Sequence, residues 1–164
     1  MNGQINFRQS IKSDLPVLEE IRQKAFAPVF ESFRSILGDR IYSLAQEPED
    51  SQQGQLLSDM FLPESVWQVY VVELLGEVVG FVSIRMDSDL KVGEIGLNAV
   101  HPDYSGRGIG TEMYKFATDQ MKSCGMQVAT VATGGDPSHA PARRAYEKSG
   151  FNVQIPSVWM CQLL

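Results

Sequence analysis

Three glycines alternate with other residues from Gly106 to Gly110, directly before a predicted amphipathic helix. A β-rich stretch ending at Val100 and a turn containing Pro102 and Asp103 precede them. Glycine leaves the backbone without Cβ atoms, and the first N–H groups of a helix have no intrahelical partners. The helix dipole adds about half a positive charge at the same end. The spacing therefore predicts a backbone site for an anion, with a pyrophosphate as its natural ligand.

The segment differs from two common phosphate-binding turns. No Gly-Lys-Ser/Thr follows the glycines, which excludes a Walker A loop. Thr111 stands where a dinucleotide fingerprint needs its third glycine, and Ala132-Thr133 where that fingerprint needs an acidic residue. Arg107 can contact a phosphate or be solvated. A glycine-rich connection without a ligand is the alternative.

A second group of residues lies on a helix predicted at 140–149. Its spacing places Ala142, Ala145, Tyr146 and Ser149 on one face. The small residues allow a ligand or a neighbouring helix to approach closely. Tyr146 then presents an amphipathic ring whose hydroxyl points into the neighbouring space.

The elements that must position these residues follow from hydrophobic periodicity. We predict helices at 13–26, 30–46, 108–123 and 140–149, with a loop at 47–55. Strands are predicted at 5–8, 67–74, 78–86, 92–100, 127–132, 151–153 and 158–163. A three-strand meander followed by strand–helix alternation predicts an α/β (α+β) fold, with a mixed, mostly antiparallel sheet and helices on both faces.

The composition is that of one globular domain spanning residues 1–164, with a net charge of −6. An acidic chain of this kind is not expected to bind nucleic acid, and no apolar run is long enough for a membrane helix. With only two histidines and two cysteines, no metal site is expected. We expect reduced, partly buried thiols at Cys124 and Cys161, and a cytoplasmic location without a secretory signal.

In both segments the sequence resembles the GNAT superfamily of N-acetyltransferases. The family's pyrophosphate motif, Gln/Arg-x-x-Gly-x-Gly/Ala, corresponds to Ser105-Gly-Arg-Gly108-Ile-Gly110. Its later motif, Asn-x-x-Ala-x-x-x-Tyr-Glu-x-x-Gly-Phe, corresponds to residues 139–151. Two positions depart from the family: Ser105 replaces Gln or Arg, and His139 replaces Asn.

The resemblance implies a sheet of about seven strands flanked by about four helices, with acetyl-CoA as co-substrate and no metal. It also implies that the pantetheine arm lies between two splayed strands. The cofactor-binding residues that it implies are Leu97, Asn98, Ala99, Val100, Ser105, Gly106, Arg107, Gly108, Ile109, Gly110, Thr111, His139, Ala142, Arg143 and Tyr146.

The resemblance also implies the catalytic roles, in a direct attack of an amine on the thioester. Tyr146 matches the general acid that protonates the departing thiolate; a packing tyrosine is the alternative. Glu94, eleven residues before Ser105, matches the general base of the histone-acetylating branch. A bound water can replace it, and an ion pair with a neighbouring cation is its structural alternative. His101 is a further base candidate or a turn element.

The acceptor is expected to be a small-molecule or peptide amine. The resemblance places its site near residues 25–55 and 134–137, and makes a homodimer a possible assembly. A coenzyme A-binding sensor or regulatory module without catalysis is the alternative function. An interaction domain that binds no cofactor is a third possibility, which the glycine turn disfavours.

Overall fold

One five-stranded sheet runs in chain order through the computed structural model, which describes residues 4–164. The strands are β1 (Ile5–Gln9), β2 (Gln68–Leu74), β3 (Glu77–Asp87), β4 (Val92–Val100) and β5 (Val128–Val131). The first four are antiparallel, and β5 pairs with β4 in parallel. The predicted mixed, mostly antiparallel sheet is therefore confirmed.

Helices cover both faces of this sheet, as predicted. They are α1 (Leu15–Leu37), α2 (Gln53–Asp59), α3 (Ile109–Ser123) and α4 (Ala140–Ser149). On one face, α1 and α2 bury Leu18, Ile21 and Leu57 against the sheet. On the other face, α3 and α4 bury Met113 and Tyr146. Within residues 4–164, no helix combines the length and the apolar character needed to cross a bilayer.

The predicted break between the first two helices is wrong. Helix α1 continues through Pro28 to Leu37. The proline removes only one backbone donor, and contacts hold the helix on either side of it: Leu18 and Ile21 pack against the sheet, and Ser32 bonds to Asp136. It ends at Gly38, whose φ of 73° lies in the left-handed region. Two short helical turns follow, Asp39–Ile41 and Tyr42–Gln46, in place of the rest of the predicted second helix.

The predicted loop at 47–55 is also wrong, since Glu47–Ser51 is helical and α2 begins at Gln53. One polar side chain of this segment, that of Asp50, is buried and bonds to residues that precede the segment. Buried Asp50 accepts hydrogen bonds from Tyr42 Oη at 2.7 Å and from Gln46 Nε2 at 2.9 Å. Burial and the bond to Asp50 raise the pKa of Tyr42 to about 12.

The two predicted C-terminal strands do not form, which leaves five strands rather than about seven. Residues 151–164 carry no regular secondary structure. Apart from Phe151, which packs against the core, the apolar side chains of this tail are exposed, with Ile155 at 93% and Met160 at 83%. Alternating apolar residues favour a strand only where a sheet edge supplies the paired backbone groups, and this segment pairs with no such edge.

Both cysteines are exposed, so the expectation of partly buried thiols is wrong. Cys124 is the residue that caps the end of α3, and Cys161 lies in the exposed tail. Each position keeps its thiol outside the two apolar clusters on the faces of the sheet.

Candidate active site

A gap opens between β4 and β5 where their pairing ends. The two strands pair only from Val92 with Val128 to Ile95 with Val131. Strand β4 continues to Val100, whereas β5 stops at Val131. One edge of the β4 backbone beyond Ile95 therefore has no partner from β5, and it can hydrogen-bond an extended ligand.

A bulge in β4 lies at the start of this gap. Val82 pairs with Asn98 and Ile84 with Ile95, so the two residues at 96 and 97 face Ser83 alone. Ser83 Oγ donates to the carbonyl of Leu97 at 2.9 Å. A Cβ on the residue before it, Gly96, would lie 2.4 Å from the Trp67 ring, so this position requires glycine.

Tyr146 stands on α4 with its hydroxyl against the β4 side of the gap. Its oxygen accepts a hydrogen bond from Asn98 Nδ2 at 3.1 Å. Its ring is 6% exposed and stacks on Tyr114 with centroids 4.1 Å apart. Burial raises the pKa of Tyr146, although hydrogen bonds with Tyr114 and Asn98 act in the opposite direction. The phenol therefore keeps its proton at neutral pH and can donate it.

Sequence reasoning missed Tyr114 and the side-chain role of Asn98. Tyr114 Oη donates to Asn98 Oδ1 at 2.8 Å, which joins α3 to β4. Its place in the sequence offered a signal, because Tyr114 follows Met113 on the buried stripe of α3. A buried tyrosine needs a hydrogen-bond partner for its hydroxyl, so a tyrosine on the buried stripe predicts a polar side chain nearby in the core.

The glycine turn precedes α3 as predicted. Gly106 has φ 75° and Gly108, the N-terminal cap of α3, has φ 81°. A Cβ at either position would meet no protein atom within 4 Å, so open space faces both. At Gly110 a Cβ would lie 3.6 Å from that of Ala145, in ordinary contact with α4. The first two glycines thus leave an open approach to the N–H groups that begin α3.

Side chains beside the turn are held by local contacts. Arg107 Nη2 donates to the carbonyl of Asp103 at 3.0 Å, and its guanidinium lies 5.0 Å from the centroid of the Tyr104 ring. Ser105 directly follows the 3-10 turn Pro102–Tyr104. The guanidinium has five N–H donors, so its bond to Asp103 leaves others for an anion.

Several predicted cofactor residues can contribute little beyond backbone groups. Their side chains pack against one of the two apolar clusters: Leu97, Ala99, Val100, Ile109 and Ala142. Thr111 lies in the first turn of α3 and is partly buried. These placements agree with a site in which the main chain supplies most contacts to the ligand.

His139 is held in a cluster between α1 and α4. Its Nδ1 bonds to the Asp136 carboxylate, and its ring stacks on Phe33 with centroids 5.8 Å apart. Ser32 Oγ of α1 donates to Asp136 Oδ2 at 2.7 Å. Arg143 Nη1 donates to the carbonyls of Gly134 and Asp136, the latter at 2.9 Å. His139 thus keeps only Nε2 for the predicted cofactor contact, and Arg143 stabilises the loop before α4.

Asp136 gives this cluster a predicted pH dependence. Burial raises its pKa, but hydrogen bonds from Ser138, Ser32 and His139 outweigh burial and hold the pKa at about 2. A lowered pKa stabilises the fold above the unfolded value of 3.8, and this contribution is lost as the pH falls towards about 2.

Asp136→Asn is therefore expected to lower the free energy of unfolding by about 1–2 kcal/mol near neutral pH. The difference from the wild type should shrink at about pH 3, which urea denaturation at both pH values measures. The exposed Asp119, with its side chain at 70%, provides the control Asp119→Asn, expected to change little. A difference that grew towards acid pH would contradict this role of Asp136.

Glu94 lies on the opposite face of the sheet from Tyr146. It pairs across the strands with Arg85, whose Nε donates to Glu94 Oε2 at 2.7 Å. The Arg85 guanidinium lies 5.1 Å from the centroid of the Trp67 ring. Glu94 is also opposite Thr130, one residue before the β4–β5 pairing ends. The structure thus places Glu94 beside the mouth of the gap, in the ion pair expected as its structural alternative.

His101 occupies a turn. Its Nδ1 accepts from the backbone N–H of Asp103 at 3.2 Å, and its Nε2 lies 3.2 Å from Lys24 Nζ. Both ring nitrogens are therefore engaged, which favours the turn element over a base. In the described part of the chain, no three histidine, cysteine or acidic side chains are arranged to hold a metal ion.

Comparison with known proteins identifies one family. The sequence profile of the acetyltransferase (GNAT) family matches residues 30–151. No curated protein sequence matches the chain.

Solved structures share the fold at low identity. A GNAT family acetyltransferase from Brucella melitensis in complex with acetyl-CoA has TM-score 0.64 and 16% identity, covering 92% of this chain and 84% of its own. The aminoglycoside N-acetyltransferase AAC(6')-Iy in complex with CoA has TM-score 0.64 and 13% identity, covering 99% and 97%. The ribosomal-protein-S18-alanine N-acetyltransferase from Escherichia coli has TM-score 0.61 and 20% identity, covering 93% and 80%.

Proposed function

Because the chain belongs to the acetyltransferase (GNAT) family, we propose that it transfers an acetyl group from acetyl-CoA to a primary amine. The match confirms the family and the acyltransferase class that the two sequence motifs predict. Acetyl-CoA as donor, direct attack by the amine and the roles of individual residues are our proposal. The observation that carries it is the buried Tyr146 hydroxyl beside the gap between β4 and β5.

The residues around the gap fit coenzyme A. The exposed β4 edge beyond Ile95 offers backbone groups to a pantetheine arm. Open space at Gly106 and Gly108 lets a pyrophosphate approach the start of α3, where N–H groups and the helix dipole favour negative charge. Arg107 adds a positive charge at the same turn. Acetyl-CoA supplies the activated acyl group as a thioester.

The chain's own residues handle the proton transfers. When the amine nitrogen bonds to the thioester carbon and the carbon–sulfur bond breaks, the sulfur carries the negative charge. Tyr146 donates its proton to that thiolate, and Glu94 or a bound water takes the proton released by the amine. Backbone N–H groups along the free edge of β4 polarise the carbonyl. Tyr146 and Glu94 lie on opposite faces of the sheet, which separates the leaving group from the incoming amine.

We define the acceptor only by its chemical class, a primary amine of a small molecule or of a protein. One structural relative is an aminoglycoside acetyltransferase and another acetylates an alanine of a ribosomal protein, so the shared fold accommodates small and protein amines. We assign the acceptor site to residues 25–55 and 134–137, where Ser32 and Phe33 contact the loop before α4.

The proposal treats residues 1–164 as a single acetyl-CoA-dependent domain. A homodimer remains a prediction. The exposed apolar tail is a surface that a second copy of the chain can cover. The cytoplasmic location and the absence of a nucleic-acid partner also remain predictions from the sequence.

The experiment that tests the function is a thiol-release assay with acetyl-CoA and a panel of amines. The panel contains an aminoglycoside, a diamine and a peptide with an N-terminal alanine. Release of coenzyme A that depends on one of these amines is the expected result. Saturable acetyl-CoA binding without turnover on any amine would instead favour the coenzyme A-binding sensor. The ion pair with Arg85 supports this alternative, because it engages the carboxylate of Glu94 that we propose as the base.

Glu94→Gln is expected to lower kcat about a hundredfold, because the amide cannot take the amine's proton. The matched control is Glu73→Gln, since Glu73 of β2 forms a similar ion pair with Arg8 at 2.7 Å, away from the gap. Steady-state rates of thiol release measure both variants. An unchanged rate for Glu94→Gln would exclude this carboxylate as the base and assign the proton to a bound water.

A further inference from the structure

We propose that Asn98 is a positioning residue that directs the hydroxyl proton of Tyr146 into the gap between β4 and β5. Tyr114, in this proposal, fixes the orientation of the Asn98 amide. The inference rests on the proposed function, because it deepens the role of Tyr146 as general acid. It assigns a role to two part-buried polar contacts that the sequence motifs do not include.

The orientation of the Asn98 amide is determined by its partners. Asn98 Nδ2 donates to the carbonyl of Gly96 at 2.8 Å, and a carbonyl can only accept. On the other side, Asn98 Oδ1 accepts from Tyr114 Oη at 2.8 Å. A flipped amide would place its oxygen against the Gly96 carbonyl oxygen, so the NH₂ group must face Gly96.

This orientation leaves one amide hydrogen for Tyr146. The NH₂ group has two hydrogens, of which Gly96 takes one and Tyr146 Oη, at 3.1 Å, takes the other. An amide nitrogen is no acceptor, so Tyr146 cannot donate its own proton to it. The Tyr146 hydrogen must therefore point away from Asn98 Nδ2, either into the gap or towards Tyr114 Oη, whose own hydrogen is donated to Asn98. The phenolate keeps a donor after the proton has left.

The same amide links the acid to the bulge in β4. Gly96 lies in the bulge at the start of the gap, and its carbonyl binds the amide that also binds Tyr146. The ring of Tyr114 stacks on the ring of Tyr146 and fixes its plane. The phenol is thus held at a fixed position relative to the free edge of β4, whose N–H groups we assign to the thioester carbonyl.

The test uses Asn98→Asp, which keeps the shape of the side chain but replaces the NH₂ group by a carboxylate oxygen. That oxygen loses the bond to the Gly96 carbonyl and draws the Tyr146 proton to itself. We expect kcat for thiol release to fall about tenfold to a hundredfold with unchanged acetyl-CoA affinity by calorimetry. The amine is whichever of the aminoglycoside, the diamine and the alanine peptide the wild type acetylates. Asn6→Asp on β1 is the control, with an unchanged rate expected.

Two further variants separate positioning from a general structural effect. Tyr114→Phe keeps the stacked ring and removes only the hydroxyl, so it should lower kcat by a smaller factor at unchanged affinity. The double variant Tyr146→Phe with Asn98→Asp should be no slower than Tyr146→Phe alone, because Asn98 acts through Tyr146. Losses that multiply in the double variant would overturn the inference.

A spectroscopic readout tests the contact without an acceptor amine. The ¹³Cζ resonance of Tyr146 in tyrosine-labelled protein, assigned with Tyr146→Phe, should move in Asn98→Asp and stay in place in Asn6→Asp. An unmoved resonance would overturn the inference. If Tyr146→Phe lowers kcat while Asn98→Asp does not, the inference alone fails. If Tyr146→Phe leaves kcat unchanged, the acid assignment fails and takes the inference with it.

Discussion

Tyr146→Phe is expected to lower kcat by about 10²- to 10⁴-fold, the usual contribution of a positioned general acid. The substitution removes one hydroxyl and keeps the ring that stacks on Tyr114, so the fold around α4 should persist. The departing thiolate then receives no proton from the protein. Thiol-release kinetics measure the loss, and calorimetry should find acetyl-CoA affinity nearly unchanged, because the hydroxyl acts in the transition state.

The control for this variant is Tyr70→Phe on β2. Tyr70 donates its hydroxyl to Gln68 at 3.0 Å, away from the gap, so losing it should leave kcat at the wild-type value. Equal rates for Tyr146→Phe and the wild type would reduce Tyr146 to a packing residue. Equal losses of affinity and rate would instead indicate that it shapes the cofactor pocket.

Gly108→Val is expected to abolish measurable acetyl-CoA binding. A branched side chain at this position would fill the open space through which a pyrophosphate approaches the start of α3. It would also strain the backbone by about 1–2 kcal/mol, because φ at Gly108 is 81°. Calorimetry should show no saturation, and acetyl-CoA should no longer raise the Tm.

Gly76 provides a matched control for the backbone strain. It lies in the β2–β3 turn with φ 84°, and a Cβ there would also meet no atom within 4 Å. Gly76→Val should therefore cost similar stability and leave acetyl-CoA binding intact. If Gly108→Val bound acetyl-CoA as tightly as Gly76→Val, the glycine turn could not be the pyrophosphate site.

The elements that the sequence predicts well have local start and stop signals. Helix α4 begins at Ala140 beside Pro141 and ends before Gly150, whose φ of 112° stops it, so both bounds are as predicted. Strand β4 likewise has the predicted bounds, Val92 to Val100. In these segments the local preference and the tertiary packing agree.

The prediction errors arise where contacts between residues distant in sequence determine the secondary structure. The predicted break at 27–29 contains Pro28, yet α1 continues through it. Before Pro28 the helix packs in the apolar cluster with Leu18 and Ile21, and after it Ser32 and Phe33 contact Asp136 and His139. Strands are predicted at 151–153 and 158–163, but no strand of the sheet pairs with either segment. Periodicity reports which face is apolar, and it does not report whether another element arrives to cover that face.

The site shows the same division. The motifs predict the glycine turn and the position of Tyr146, because both depend on short-range spacing. The contacts of Asn98 with Tyr114 and Tyr146 span 16 and 48 residues of sequence, so only the packed fold reveals them. The cluster of Asp136 with Ser32 spans 104 residues and was not predicted.

Calorimetric titration of the purified chain with acetyl-CoA tests the central claim most directly, with the thermal shift measured in parallel. The account predicts saturable binding at one site and a Tm that rises with acetyl-CoA concentration, by RT ln(1 + [L]/Kd) in free energy. Absence of both heat and thermal shift at millimolar acetyl-CoA would contradict a coenzyme A site at the glycine turn, and with it the proposed acetyl transfer.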